Sequence, residues 1–304
     1  MKTYLECLPC FVRQALEVVR ITTEDQDERF RLMRLMLEQA SRYPEDASPP
    51  EVSARMYRMI RDETETDDPY LEIKRRSNEF ALGLLQKLEK LVEDSDDRFE
   101  SALRLAIAGN VMDWGAKTHT DVSEEGVEKT LHEALESPIV GERSEELKKA
   151  VKDADRILYL ADNAGEIVFD RLFVTHMPDS NLTVAVKGGP AINDATMADA
   201  EQVGLTDITE VVDTGSDAAG TALDDCSEEF RRMFDSADLI IAKGQANYET
   251  LSELPQNIFY LLKVKCPVVA RDTGHPPGSM LLLHRPAKDT DSASAGGSIQ
   301  DATV

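Results

Sequence analysis

The stretch RILYLADNAGEIVFDRLFVTHMPDSNLTVAVKGGPAIND, residues 156–194, decides the fold. It opens on a short apolar run, RILYLA (156–161), and passes into helix-like GEIVFDRLFVTH (165–176). It then returns to a second apolar run, LTVAVK (182–187). Neither run alternates with polar residues, so each reads as a strand covered on both faces, the pattern of a parallel sheet between helices. The alternation continues towards the C-terminus. Residues 194–204 read as a helix, ITEVVD (208–213) as a strand and LDDCSEEFRRMFDSA (223–237) as a helix. LIIAK (239–243) is the next strand, 248–263 reads as a helix and PVVAR (267–271) as a strand.

Towards the N-terminus the period changes from strand to helix. Residues 6–20, 27–41, 51–62, 70–93 and 98–112 carry apolar side chains at helical spacing, and Pro44, Pro49, Pro50 and Pro69 punctuate them. Ser144 followed by Glu145 and Glu146 opens a further helix, 145–153, with acidic residues in its favourable first turn. The expected class is α/β, with an all-helical domain over 1–143 and a three-layer α/β domain with a mainly parallel sheet over 144–285. The small polar tail, 286–304, is expected to be disordered.

In an open parallel sheet, ligands bind beyond the carboxyl ends of the strands. Asp162-Asn163-Ala164-Gly165-Glu166 follows the first strand, and Gly188-Gly189-Pro190 with Asn193-Asp194 follows the second. Asp213-Thr214-Gly215 ends the third, Lys243-Gly244-Gln245-Ala246-Asn247 the fourth and Arg271-Asp272-Thr273-Gly274 the fifth. One such turn is ordinary loop chemistry, but five on one edge describe a site. Asp162, Asn163, Asn193 and Asp194 are hard oxygen donors, suited to Mg²⁺ or Mn²⁺ with waters left for phosphate oxygens. Lys243 is a compact cation for a phosphate, and the glycines let backbone N–H groups approach an anion. The chemistry is metal-assisted phosphoryl hydrolysis or transfer. Each aspartate also has a plainer reading: Asp162 and Asp194 each precede a helix, and Asp is a favoured N-cap. No GxGxxG, GxxxxGK[ST] or GxSxG occurs in the required context, which removes the dinucleotide, P-loop and serine-hydrolase readings.

Charge narrows the partners. The 304 residues carry 34 Lys+Arg against 58 Asp+Glu, a formal net charge of -24. Such a chain repels nucleic-acid phosphates and anionic membranes. The carboxylates are scattered (EDQDE, DETETDD, EDSDD, DDCSEE), as on the acidic surface of a halophilic protein. No run approaches the length of a membrane span and the N-terminus lacks a secretory layout, so a cytoplasmic location is expected. Cys7 and Cys10 form a lone CxxC without a second ligand pair, leaving buried thiols, a metal role and a redox role all open.

The runs DNAGEIVFD (162–170), KGGPAINDAT (187–196), AKGQANYE (242–249) and KCPVVA (265–270) resemble the damage-control phosphatase family, prokaryotic branch. CLPC (7–10), PYLEIKRRSN (69–78) and AIAGNVMDWG (106–115) fit the same resemblance, which reaches to about residue 285. The resemblance implies a helical domain packed on a Rossmann-like core, with a divalent metal (Mn²⁺, Co²⁺, Ni²⁺ or Mg²⁺) held by Asp162, Asn163 and Asp194. It implies small phosphate esters as substrates: sugar phosphates, phosphopantetheine compounds and side-products of metabolism. Lys243 is then expected as a phosphate contact with Asn247 and Glu249 nearby. Lys187 and Asn193 join them on the substrate side, and Asn110 and Asp113 close the pocket from the helical domain. Asp162, Asp194 and Lys243 are the expected catalytic set. Two alternatives remain: methyl transfer from S-adenosylmethionine to a carboxylate, and a non-catalytic metal- or metabolite-binding module.

Overall fold

The computed structural model describes residues 1–44, 46–109, 129, 131–133, 135–141, 143–177 and 181–287. Helices α1 (Leu8–Thr22), α2 (Gln26–Ala40), α3 (Pro49–Thr64), α4 (Leu71–Glu93) and α5 (Arg98–Gly109) form the N-terminal region. After them come β1 (Ile139–Val140), α6 (Ser144–Asp153), β2 (Ile157–Leu160), α7 (Glu166–Thr175), β3 (Leu182–Val186), α8 (Met197–Gln202) and β4 (Glu210–Asp213). The chain ends with α9 (Glu228–Ser236), β5 (Leu239–Lys243), α10 (Gly244–Leu251), β6 (Ile258–Lys263), α11 (Pro267–Thr273) and β7 (Met280–Arg285). The expected tail, 286–304, lies outside the described residues from 288 onward.

The seven strands make one sheet in the order β1-β7-β6-β5-β2-β3-β4. All neighbouring pairs are parallel except β6 and β7. From β2 the chain moves outward through β3 and β4. It then returns to the other side of β2 with β5 and moves outward again through β6. The order therefore reverses between β2 and β5, which makes the gap beyond their carboxyl ends the natural ligand crevice.

Successive residues of β2 serve opposite faces, as the strand pleat requires. Ile157 and Tyr159 join a core with α4, α5 and α7, through Leu84, Leu88, Leu103, Phe169 and Phe173. Leu158 and Leu160 join a second core with Phe230 and Phe234 of α9, Tyr248 of α10 and Val269 of α11. The result is a helix–sheet–helix sandwich, with α4 and α5 supplying part of one outer layer. A third core ties α1, α2 and α3 together through Phe11, Val18, Leu32, Met36 and Ile60. Among the described residues, no helix is long and apolar enough to cross a membrane.

Two elements differ from expectation. The run expected as one helix over 248–263 is α10 followed by β6, with a short connection between them. Pro255 interrupts the helical pattern, and IFYLLK has aromatic and branched residues on both faces because β6 is buried on both. PVVAR, expected as a strand, is the helix α11. The Cys266 sulfur caps it by accepting from Val269 N, Pro267 sits in its first turn, and Gly274 (φ +76) ends it in the left-handed conformation. The turn at 271–274 is therefore a helix end, so four strand ends supply the edge and the fifth is withdrawn. β1 and β7 lie in stretches whose reading gave no strand.

Candidate functional site

The two loops that leave β2 and β3 are laced together at the switch point. Ala195 N donates to Asp162 O at 2.8 Å, Ala164 N donates to Asn193 O at 2.9 Å, and Asn163 and Asp194 form an antiparallel bridge. Neither aspartate caps a helix. Gly165 holds the N-cap position of α7, and Thr196 holds that of α8, where it forms a capping box with Asp199. The plainer reading of both carboxylates thus falls away, and they are left facing the same backbone junction.

Gly244 makes room for the first of them. An atom placed at its Cβ position would lie 1.9 Å from Asp162 Oδ2, so the carboxylate occupies the space a side chain would fill. Asp162 is 5 % exposed and Asp194 3 % exposed. Burial, with Glu166 and Asp194 close by, holds the Asp162 carboxyl well above the usual carboxylate range. Burial likewise raises Asp194 to about 6, against the pull of Lys187, whose Nζ lies 3.6 Å from Asp194 Oδ2. That same Oδ2 is buried with no hydrogen-bond donor. A buried acceptor without a donor, beside carboxyls that burial and mutual repulsion make harder to ionise, suits a bound cation. Among the described residues no three His, Cys, Asp or Glu side chains converge on a metal position. The donor set that fits is two aspartates and one carboxamide, all hard oxygen ligands of the kind Mg²⁺ and Mn²⁺ take.

The remaining expected residues divide. Lys187 lies at the junction: its ammonium reaches Asp194 and donates to Gly220 O, and it lines a crevice of about 500 Å³. Gly188, Gly189, Thr196 and, from α4, Lys74 and Arg75 border the same crevice. Asn193 is half-buried on the Asp162–Asp194 junction. Lys243 is a correction. Its side chain is 0 % exposed and its Nζ is held by Glu166 Oε1 at 2.7 Å and by Asp170, so its charge is already met inside the protein. Although burial opposes it, those two carboxylates hold the Lys243 ammonium above its ordinary range. Asn247 is a second correction. Its carboxamide donates to Lys243 O at 2.7 Å and Ala161 O at 3.3 Å and accepts from Thr221 at 2.7 Å, which makes it a staple between β2 and β5. Glu249 is a third: it is buried on α10, takes Gln245 Nε2 at 2.9 Å, and its own carbonyl accepts from the Met1 ammonium. Asn110 and Asp113 lie outside the described residues.

Other residues serve the site without having been singled out. Asn78 of α4, fully buried, accepts from Gly165 N at 2.6 Å and donates to Asp199 and Gln202 at 2.8 Å, tying α4 to the Asp162 loop and to α8. Lys74 pairs with Asp68 at 2.7 Å and Asp199 at 3.6 Å. Their signal was the run PYLEIKRRSN, which carried resemblance but no chemistry. Cys7 is buried at the start of α1, Cys10 accepts from Arg13 at 3.3 Å, and all four thiols are free.

A family model described as the Damage-control phosphatase ARMT1-like domain matches residues 3–281. A damage-control phosphatase from Pyrococcus horikoshii is 37% identical over 293 residues, covering 95% of this chain and 100% of that protein. One from Archaeoglobus fulgidus is 34% identical over 289 residues, 92% of this chain and 98% of that one. A 4'-phosphopantetheine phosphatase from Mus musculus matches more narrowly, 28% identical over 144 residues. The crystal structure of a DUF89 family protein from P. horikoshii superposes with a TM-score of 0.85 at 37% identity, covering 93% of this chain and 99% of that one.

Proposed function

The chain belongs to the damage-control phosphatase ARMT1-like family, and from that premise we propose that it is a metal-dependent phosphatase of small phosphate monoesters. The observation that carries the reading is Asp194 Oδ2, buried and without a donor, beside Asp162 at the switch point of the sheet. Asp162, Asn163 and Asp194 would hold a divalent cation (Mn²⁺, Co²⁺, Ni²⁺ or Mg²⁺), whose charge would offset that of the ester phosphate and lower its resistance to attack.

The chain's own residues then do the rest. Lys187, buried and paired with Asp194, lines the crevice and would supply the positive charge for a phosphate oxygen. The organic part of the ester runs along the crevice towards Lys74 and Arg75 on α4. A space of about 500 Å³, which reaches the Asp162–Asp194 junction through Lys187 and is not lined by the three proposed ligands themselves, is of a size to take a sugar phosphate or a phosphopantetheine-like metabolite. The mouse relative's name, a 4'-phosphopantetheine phosphatase, supports that substrate range.

The test is a screen of divalent metals against small phosphate esters, scored by free phosphate, on the native chain and on Asp194→Asn. Metal-stimulated release is expected from the native chain, with a loss of at least about a hundredfold in the variant, as for a group that acts in the reacting centre. Equal release by both proteins at matched metal sinks the assignment.

A further inference from the structure

We propose that Lys243, acting through Glu166, is a positioning residue that fixes the Asn163 carboxamide with its oxygen towards the metal. The inference rests on the reading of Asp162, Asn163 and Asp194 as a metal site. A carboxamide has an oxygen and a nitrogen of similar size, and only the oxygen can bind a hard cation. An asparagine in such a site is therefore useful in one of its two flips.

The surroundings of Asn163 select that flip. Its Nδ2 donates to Asp162 Oδ2 at 2.8 Å and to Glu166 Oε2 at 3.0 Å. In both contacts a carboxyl oxygen accepts and the Asn163 NH₂ group donates, which puts Nδ2 on that side and turns Oδ1 to the other. Asp162 cannot do the sorting by itself, because as a ligand it gives its own charge to the cation. Glu166 is the fixed acceptor. Its Oε1 is taken by Lys243 Nζ at 2.7 Å, which leaves Oε2 for Asn163. Lys243 is anchored in turn by Asp170, and Asp170 accepts the Tyr159 hydroxyl at 2.7 Å. The chain Tyr159–Asp170–Lys243–Glu166–Asn163 runs from β2 through α7 and β5 back to the loop after β2. Every member before Asn163 is buried at 2 % exposure or less.

The arrangement makes a specific claim about donors. In Glu166→Gln the new amide must turn its NH₂ either at the Lys243 ammonium or at the Asn163 NH₂, and one donor–donor conflict is unavoidable. Mn²⁺ titrated calorimetrically into the metal-free full-length variant is expected to bind at least about tenfold more weakly than to the native chain, the size of a lost supporting contact. The combination Glu166→Gln, Asp170→Asn, Lys243→Met removes the ammonium and both charges. The introduced glutamine amide can then present its oxygen to Asn163, and Mn²⁺ affinity is expected to return to within about threefold of native, as a coupled network allows. A phosphate contact or a plain scaffold role for Lys243 predicts no such return. The substrate KM at saturating Mn²⁺ is expected to be the same in the triple variant and the native chain.

Native-like Mn²⁺ affinity in Glu166→Gln, or a triple variant as weak as the single, overturns the inference while leaving the metal site intact. A native chain that binds no Mn²⁺ overturns both. A second measurement needs no change in the network. The Asn163 side-chain amide protons, identified by their loss in Asn163→Asp, are expected to exchange slowly in the metal-free protein, and free exchange of both overturns the proposal.

Discussion

Gly244 and Gly274 share a left-handed backbone, φ +80 and +76, but only one of them faces a neighbour. A Cβ on Gly244 would meet Asp162 Oδ2 at 1.9 Å, whereas nothing lies within 4 Å of one on Gly274. Alanine at either place carries the left-handed penalty, roughly 1–2 kcal/mol. Only Gly244→Ala must also expel the Asp162 carboxylate. Both variants are expected to melt a few degrees lower, while phosphate release falls at least about a hundredfold in Gly244→Ala alone, a loss of the size seen when a reacting-centre group is removed. Equal activity in the two would show that Asp162 tolerates displacement. Glu249 offers a test of sign. Burial, partly offset by Gln245 and the Met1 ammonium, raises its carboxyl from 4.5 to about 7. Between those values the folded chain holds a proton that the unfolded chain has released, so stability falls as pH rises through that window. Glu249→Gln removes that slope. Urea unfolding at pH 5 and pH 8 is expected to show the variant gaining on the native chain at the higher pH, by up to about 3 kcal/mol at 1.4 kcal/mol per unit. Parallel pH dependences would place the glutamate in a wetter setting than its burial implies.

At the scale of elements, α3 governs how firmly the β3–α8 loop is held. Arg61 of α3 donates to Pro190 O at 3.1 Å and pairs with Asp217, and Arg58 donates to Asp217 at 2.7 Å and reaches Asp225. Two residues before Asp194, Ile192 takes φ +50, an uncommon conformation for a β-branched residue, and packs against the α1–α3 core. Apolar anchoring there offsets local strain, and the strain sits where Asp194 is aimed. Asp217→Ala leaves both arginines without their shared acceptor. Because the group is partly exposed, a destabilisation of only about 1 kcal/mol is expected, but phosphate release should fall several-fold through a looser Asp194. Turnover unchanged at full metal saturation would show that Ile192 alone fixes the loop. The same elements show what a sequence can and cannot disclose. The places of Asp162, Asn163 and Asp194 on the loops that leave two apolar runs could be read from the residues alone, because the parallel-sheet rule puts ligands there, whereas Lys187 entered only through the family resemblance. β6 and α11 were not, since IFYLLK and PVVAR are both short apolar runs, and it is the Cys266 cap, Pro267 and the placement of β7 that tell helix from strand. Lys243 was found but given the wrong neighbour: its partners Glu166 and Asp170 sit on α7, and only the packing of α7 across β2 and β5 brings them to it.

For the whole molecule, charge is the lever. The excess of 58 acidic over 34 basic residues leaves a net charge of -24. Several surface arginines are already paired along their own helices, as Arg75 is with Glu72 and Glu79 and Arg143 with Glu146. Salt acts on these two populations in opposite directions. It weakens the helical pairs, each worth at most about 1 kcal/mol, and it screens repulsion among the unpaired carboxylates, which reaches across the surface. The screening length shrinks from about 10 Å at 0.1 M to about 3 Å at 1 M. Repulsion between exposed carboxylates that stand further apart than the screening length is largely lost. Melting temperature is therefore expected to rise between 0.1 and 1 M KCl, a salt chosen because it lacks the exclusion effect of sulfate. The approach of substrate should follow the same rule. A phosphate ester nearing a strongly negative protein is repelled at long range, so kcat/KM at saturating metal is expected to increase with KCl, the reverse of a cationic site that steers its ligand inward. A melting temperature that falls with KCl would mean that the local ion pairs outweigh the net charge. A kcat/KM that falls would mean that Lys187 and its neighbours at the crevice set the field the substrate feels.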